Sequence, residues 1–281
     1  MKYICYTLLF CCIQLFSFGQ ITIKGKILNK KNKEPIPYVN IGIPKHAQGT
    51  VSDEDGNYFL KFNDSNDTVI ISAIGFFSQN KSVNELLQNG EILLEQQIHQ
   101  IKEINLIATE FDKEKLFGKK NKNRGLSVGF GNAQLGCKIG SSIKIKKETY
   151  LKSANFKLNH ADGDSLLFRV NIYHFEKGKI GENILKENIT IYAPQKRGIL
   201  TVDLTPYELI INHDVLLTLE WIKDDNGSGN HGITFDTKKG RKSNIWNKRT
   251  SQNPFKINKT YGRRGMGKKS LCFWLIGKEV K

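Results

Sequence analysis

The chain has 281 residues, 39% of them apolar, which is enough for two modest domains with cores of their own and excludes a wholly disordered polymer. With 43 Lys and Arg against 27 acids the formal charge is +16, and it is unevenly placed. Residues 20–107 carry nine Lys and ten acids, whereas residues 238–281 carry fourteen Lys or Arg and one acid, Glu279.

Residues 1–19 have a secretory layout: Lys2 as the basic start, an apolar run over 3–18, and Gly19 as the small residue before a cleavage point. The run is shorter than the roughly 20 apolar residues a spanning helix needs, and no later segment reaches that length. The bulky Leu9 and Phe10 before Cys11 disfavour a lipid-attachment signal. The expected location is therefore the periplasm, the outer-membrane surface or the extracellular space. Export removes nucleic acid from the reachable partners and leaves lipid head groups, lipopolysaccharide phosphates and acidic glycans for the basic C-terminal segment. A solvated basic loop accounts for that segment equally well. Cleavage leaves Cys137 and Cys272, for which a disulfide and two buried thiols are both open readings.

Alternating apolar residues predict strands over 21–28, 39–43, 58–62, 68–74, 91–94 and 103–107, with one or two helical turns over 82–88. That whole set is organised around residues 50–60. Asp55-Gly56 reads as the tight turn of a hairpin, with Tyr58, Leu60 and Phe62 alternating inward beyond it. As a calcium loop counted from Asp53, Gly56 falls at position 4 and Asp64 at position 12, so the spacing for a cation-binding hand fails.

The order I-x-G-K-I, E-P-I-P-Y-V-N-I, G-T-V-S-D-E-D-G-N-Y-F-L and V-I-I-S-A-I-G-F, closed by I-K-E-I-N-L-I, resembles the carboxypeptidase regulatory-like domain of secreted and outer-membrane bacterial proteins. The resemblance covers residues 21–107. It implies a small transthyretin-like β-sandwich without catalytic residues, often placed ahead of a larger unit. In the best-known relatives that unit is a TonB-dependent receptor. The roughly 170 residues after Ile107 are too few for a plug and large barrel built from strands of about 9–11 residues.

Residues 108–124 are charged and polar, and are expected to link residues 20–107 to a second domain over 125–281. There, strands are expected over 135–139, 143–147, 150–158, 165–175, 189–192, 198–204, 214–222 and 271–276. In 165–175, Phe168, Val170 and Ile172 oppose Arg169, Asn171 and Tyr173, the pattern of a strand with one face open to water. The fold class is thus all-β: an N-terminal transthyretin-like sandwich and a C-terminal jelly-roll-like antiparallel one.

Two loops have the chemistry of binding sites. Asp224, Asp225 and Asn226 offer oxygen donors for calcium or sugar hydroxyls, or form a plain polar connection. Trp246, Arg249, Tyr261, Arg263 and Arg264 pair aromatic faces for stacking on sugar rings with guanidinium groups for carboxylate or phosphate. Core packing and solvent exposure explain them equally well. The six His are scattered without metalloprotease spacing, and no nucleophile elbow or phosphate loop is present. The expectation is an exported, non-enzymatic cell-envelope protein with no cofactor beyond a candidate calcium, binding glycan or lipopolysaccharide. The alternatives are a subunit docking on outer-membrane proteins and, more distantly, a hydrolase.

Overall fold

The computed structural model describes residues 21–62, 67–97, 110–121, 127–130, 135–161, 166–193, 197–224, 233–240, 242–258 and 268–281. The expected signal segment and the strand expected over 103–107 lie outside them. The described chain is all-β, as its alternation of apolar and polar residues dictates.

The first unit holds β1 (Ile21–Asn29), β2 (Asn40–Ile43), β3 (Gln48–Val51), β4 (Asn57–Phe62), β5 (Thr68–Ser72), β6 (Gln79–Ser82), helix α1 (Val83–Gln88) and β7 (Glu91–Leu94). One sheet runs β4-β1-β7, with β1 and β7 parallel, and the other runs β3-β2-β5-β6. The inward residues of both, among them Ile23, Ile27, Ile41, Ile43, Leu60 and Val69, form one core. A capping box starts α1: Ser82 Oγ accepts from the Glu85 amide, and the Glu85 carboxylate accepts from that of Ser82.

The Asp55-Gly56 turn is present, with Gly56 at φ 74°, but it does not close a hairpin. β3 pairs with β2 and β4 with β1, so the turn carries the chain from one sheet to the other. Asp53 organises it. Its carboxylate accepts from the amides of Asp55 (3.0 Å) and Asn57 (2.8 Å) and from Asn57 Nδ2 (3.1 Å). Those bonds occupy the carboxylate with local donors.

The second unit has two antiparallel sheets. The outer one contains β8 (Phe111–Gly118), β9 (Ser127–Phe130), β11 (Thr149–Ala161), β15 (Gly198–Asp203), β16 (Ile210–Ile211), β18 (Ile233–Lys239), β21 (Lys269–Leu271) and β22 (Phe273–Val280). The inner one, facing the first unit, contains β10 (Lys138–Ile143), β12 (Leu166–Glu176), β13 (Lys179–Asn183), β14 (Ile189–Tyr192), β17 (Val215–Asp224), β19 (Trp246–Lys248) and β20 (Lys256–Ile257), with the path β13-β12-β17-β10-β19-β20. Residues 111–118, expected within the connecting segment, form an edge strand on β22. The basic C-terminal segment is woven into both sheets through β19 to β22, and Lys269 is buried.

β10 runs unbroken through Gly140-Ser141-Ser142, where a break was expected. Gly140 stands where a Cβ would lie 2.5 Å from both the Leu217 carbonyl and Thr218 Cγ2, so glycine serves close strand approach rather than a turn. Ser141 Oγ donates to the Asn244 carbonyl at 2.6 Å, giving the polar stretch a partner. Cys137 and Cys272 are both free and buried. Burial pushes the Cys272 thiol up to about 11, which keeps it protonated and inert at neutral pH.

Between the sheets lies an aromatic core centred on Phe235, whose ring is 5.2 Å from Phe273, 6.0 Å from Phe130 and 6.4 Å from Phe168. Edge-to-face contacts of this kind add to the burial term. Phe235→Ala should therefore lower unfolding stability by about 3–5 kcal/mol. Urea denaturation checks this, and an unchanged midpoint would show that Phe235 is not central to the core.

Candidate functional site

Strand register builds the site. On the inner sheet Arg169 of β12 is opposite Glu220 of β17, Glu220 is opposite Lys138 of β10, and Lys138 is opposite Lys248 of β19. Residues opposite one another share a face. The result is a single row of four charges across four neighbouring strands, in the order plus, minus, plus, plus. The next rung carries Asn171, Thr218, Gly140 and Trp246.

The alternation expected for β12 is correct, but its polar face is not open to water. Arg169 is 1% exposed and Asn171 2%, because the first unit covers this face. Arg169 Nη1 donates to the Tyr38 carbonyl of the first unit at 2.7 Å and to Asn188 Oδ1 at 2.9 Å. Ser251 Oγ donates to the Ile41 carbonyl at 2.7 Å, and Gln252 Nε2 to Ser72 Oγ at 2.9 Å. Lys223 pairs with Glu54 at 2.7 Å across the same boundary, and Val51 packs on Leu167 and Ile222. A Cβ at Gly49 would sit 2.6 Å from Ser251 Oγ, so glycine there lets the two units seat closely.

Glu220 is fully buried and is the centre of the row. Its carboxylate accepts from Arg169 Nε at 2.9 Å and Asn171 Nδ2 at 3.0 Å, and pairs with Lys138 Nζ at 2.6 Å. Burial by itself would raise its pKa, but Arg169 and Lys138 more than offset that and hold it well below the usual carboxylate range. Lys138 is pulled the other way. Burial pushes its ammonium down to about 7; Glu220 opposes this, while Lys248 and Arg169 add to the depression. Burial likewise lowers Lys248, with Glu220 opposing.

Beside this row lies a cavity of about 500 Å³ between the two units, inside the range of about 300–1,000 Å³ typical of small-molecule sites. The first unit lines it with Asn40, Ser72, Gln97 and Phe76, and the second with Lys138, Asn171, Tyr173, Asn183 and Lys248. Asn40 is 8% exposed, and its Oδ1 has no hydrogen-bond partner among the described residues. Tyr173 packs edge-on to Phe255 at 5.4 Å, and Lys248 Nζ lies 5.6 Å over that same Phe255 ring. The arrangement can offer amide and hydroxyl groups to a polar ligand, aromatic faces to its apolar side and ammonium groups to an anion.

Of the residues singled out by sequence, Trp246 is half-buried and packs edge-on to Phe175 at 5.4 Å, and Arg249 is exposed. Tyr261, Arg263 and Arg264 lie outside the described residues. Asp224 ends β17, and its side chain, with Asp225 and Asn226, also lies outside them. Among the described residues, no group of three or more His, Cys, Asp or Glu side chains is placed to hold a metal ion, and no helix is long and apolar enough to cross a membrane. His174 lies against His213, with ring centroids 4.3 Å apart. Lys138 and Glu220 escaped sequence reasoning. Their signal was a charged residue in an otherwise apolar strand, as in Val215 to Ile222.

An all-β, sandwich-type architecture is thus defined, with a cavity between a small leading unit and a larger one. The family model described as CarboxypepD_reg-like domain matches residues 23–106, in agreement with the resemblance seen in the sequence. The leading unit is a module of that type, regulatory-like and non-catalytic. No curated protein matches the chain.

The charge row makes two measurable demands. Glu220→Gln strands Arg169 and Lys138 as buried cations and should cost about 3–5 kcal/mol in denaturant unfolding; a loss under 1 kcal/mol would contradict the central role of Glu220. The folded-state pKa of Lys138 lies below its unfolded value of 10.5, so between about 7 and 10.5 the unfolded chain binds more protons and stability rises with pH. From pH 7 to 9 the rise should be about 2 kcal/mol from this group, and Lys138→Met should remove most of it.

Proposed function

We propose that the protein is an exported, non-enzymatic component of the cell envelope that binds a glycan in the cavity between its two units. The observation that carries this is the cavity lining. The Asn40 amide, whose Oδ1 has no partner among the described residues, the Gln97 amide and the Ser72 hydroxyl are suited to sugar hydroxyls, while Asn171 and Asn183 hold each other and Glu220 in place and Tyr173 and Phe76 supply rings for the apolar face of a pyranose. The matched module supports a scaffolding role for residues 23–106, forming one wall of the site rather than contributing chemistry. Export rests on the secretory layout of residues 1–19.

The test is a glycan array and polysaccharide pull-down with the mature chain, with and without calcium. Binding that Tyr173→Ala weakens at least tenfold, with the unfolding midpoint little changed, supports the reading. Absence of binding to every neutral and acidic glycan would overturn it. Fusing residues 1–19 to a reporter active only outside the cytosol should switch that reporter on, and a silent fusion would contradict export.

A further inference from the structure

The charge row is not balanced. Arg169, Lys138 and Lys248 stand around a single buried carboxylate, Glu220, and the cavity-facing end of the row is the pair of lysines directly opposite each other on β10 and β19. Like charges in that position repel, and burying a cation without a counter-charge is costly. Among the described residues Lys248 has no carboxylate in ion-pair contact, only the Phe255 ring beneath its ammonium. Lys138 is in ion-pair contact with Glu220 at 2.6 Å. Two further ionisable groups of the described lining face this space, Tyr173 and Glu182. Tyr173 on β12 is kept protonated, mainly by burial. Glu182 on β13 is an exposed carboxylate of the lining, solvated and without ion-pair contact to either lysine among the described residues, and among the described residues the wall from the first unit, through Asn40, Ser72 and Gln97, carries no ionisable side chain.

We infer that the cavity is an oxyanion subsite, in which Lys138 and Lys248 take the carboxylate of an acidic sugar while the Asn40 and Gln97 amides take its hydroxyls. This rests on the glycan reading above and names the class of glycan. An anion seated between the two lysines supplies the missing counter-charge, so the ligand completes the row rather than merely filling space. It also holds Lys138 protonated, which couples binding to proton uptake. Lys138 titrates near 7 without ligand, so affinity for the anion is full below that pH and falls as pH rises through it, by about tenfold between pH 6 and 8.

The experiment is calorimetric titration of the mature chain with glucuronate and galacturonate disaccharides, their neutral glucose and galactose counterparts, and inorganic phosphate. Acidic disaccharides should bind at least tenfold more tightly than neutral ones. Lys248→Gln should erase that preference and Lys248→Arg should keep it, both with unfolding midpoints close to the parent. Equal binding of acidic and neutral sugars would overturn the inference and leave the glycan reading standing. Phosphate binding as tight as the acidic sugar, and lost in Lys248→Gln, would uphold the oxyanion subsite while overturning the glycan reading. Failure of all three probes to bind, or a preference unchanged in Lys248→Gln, would overturn the inference.

Discussion

A buried carboxylate holding two cations is the interaction on which this structure depends. Glu220 has no exposure, and Arg169, Lys138 and Asn171 all reach it. Taking such charges out of water is affordable only where each finds a partner, and Arg169 finds a further one in the Tyr38 carbonyl of the leading unit. The same guanidinium therefore ties the inner sheet to the module that covers it. The centre of that sheet's polar face is buried because the module sits on it, and the module has a seat because the face is polar in the right places.

The consequence is a division of labour set by packing. Apolar faces of the two sheets of the larger unit close on the aromatic core around Phe235, while the opposite face of the inner sheet carries charge and amides. The leading module contributes backbone carbonyls, small residues and neutral polar side chains to the boundary, as at Ile41, Gly49 and Asn40. None of these brings a charge of its own. Glu54, which does, pairs with Lys223. The surplus positive charge of the row therefore stays directed at the cavity.

Much of this fold could be read from residue order. The period-two pattern located Tyr58, Leu60 and Phe62 and separated Phe168, Val170 and Ile172 from Arg169, Asn171 and Tyr173, and the spaced motifs of residues 21–107 identified the leading module. Two things could not be read. A tight turn such as Asp55-Gly56 states that the chain reverses, but not whether the next strand joins the same sheet, and here it crosses to the other. Likewise a single strand shows which of its residues share a face without showing what covers it. Lys138, Glu220 and Lys248 come from three distant stretches, and only their cross-strand register brings them into line. Residues of the expected loops such as Asp225 and Arg263, by contrast, have ligand chemistry that is distinctive locally in the sequence.

The central claim is that the charge row under the leading module is the place where a ligand's anion binds. A crystal structure of the mature chain with an acidic disaccharide tests it most directly. The account predicts a carboxylate between the Lys138 and Lys248 ammonium groups, with the sugar ring against Tyr173; a ligand bound at the exposed Arg249 surface, with the cavity holding only water, would contradict it.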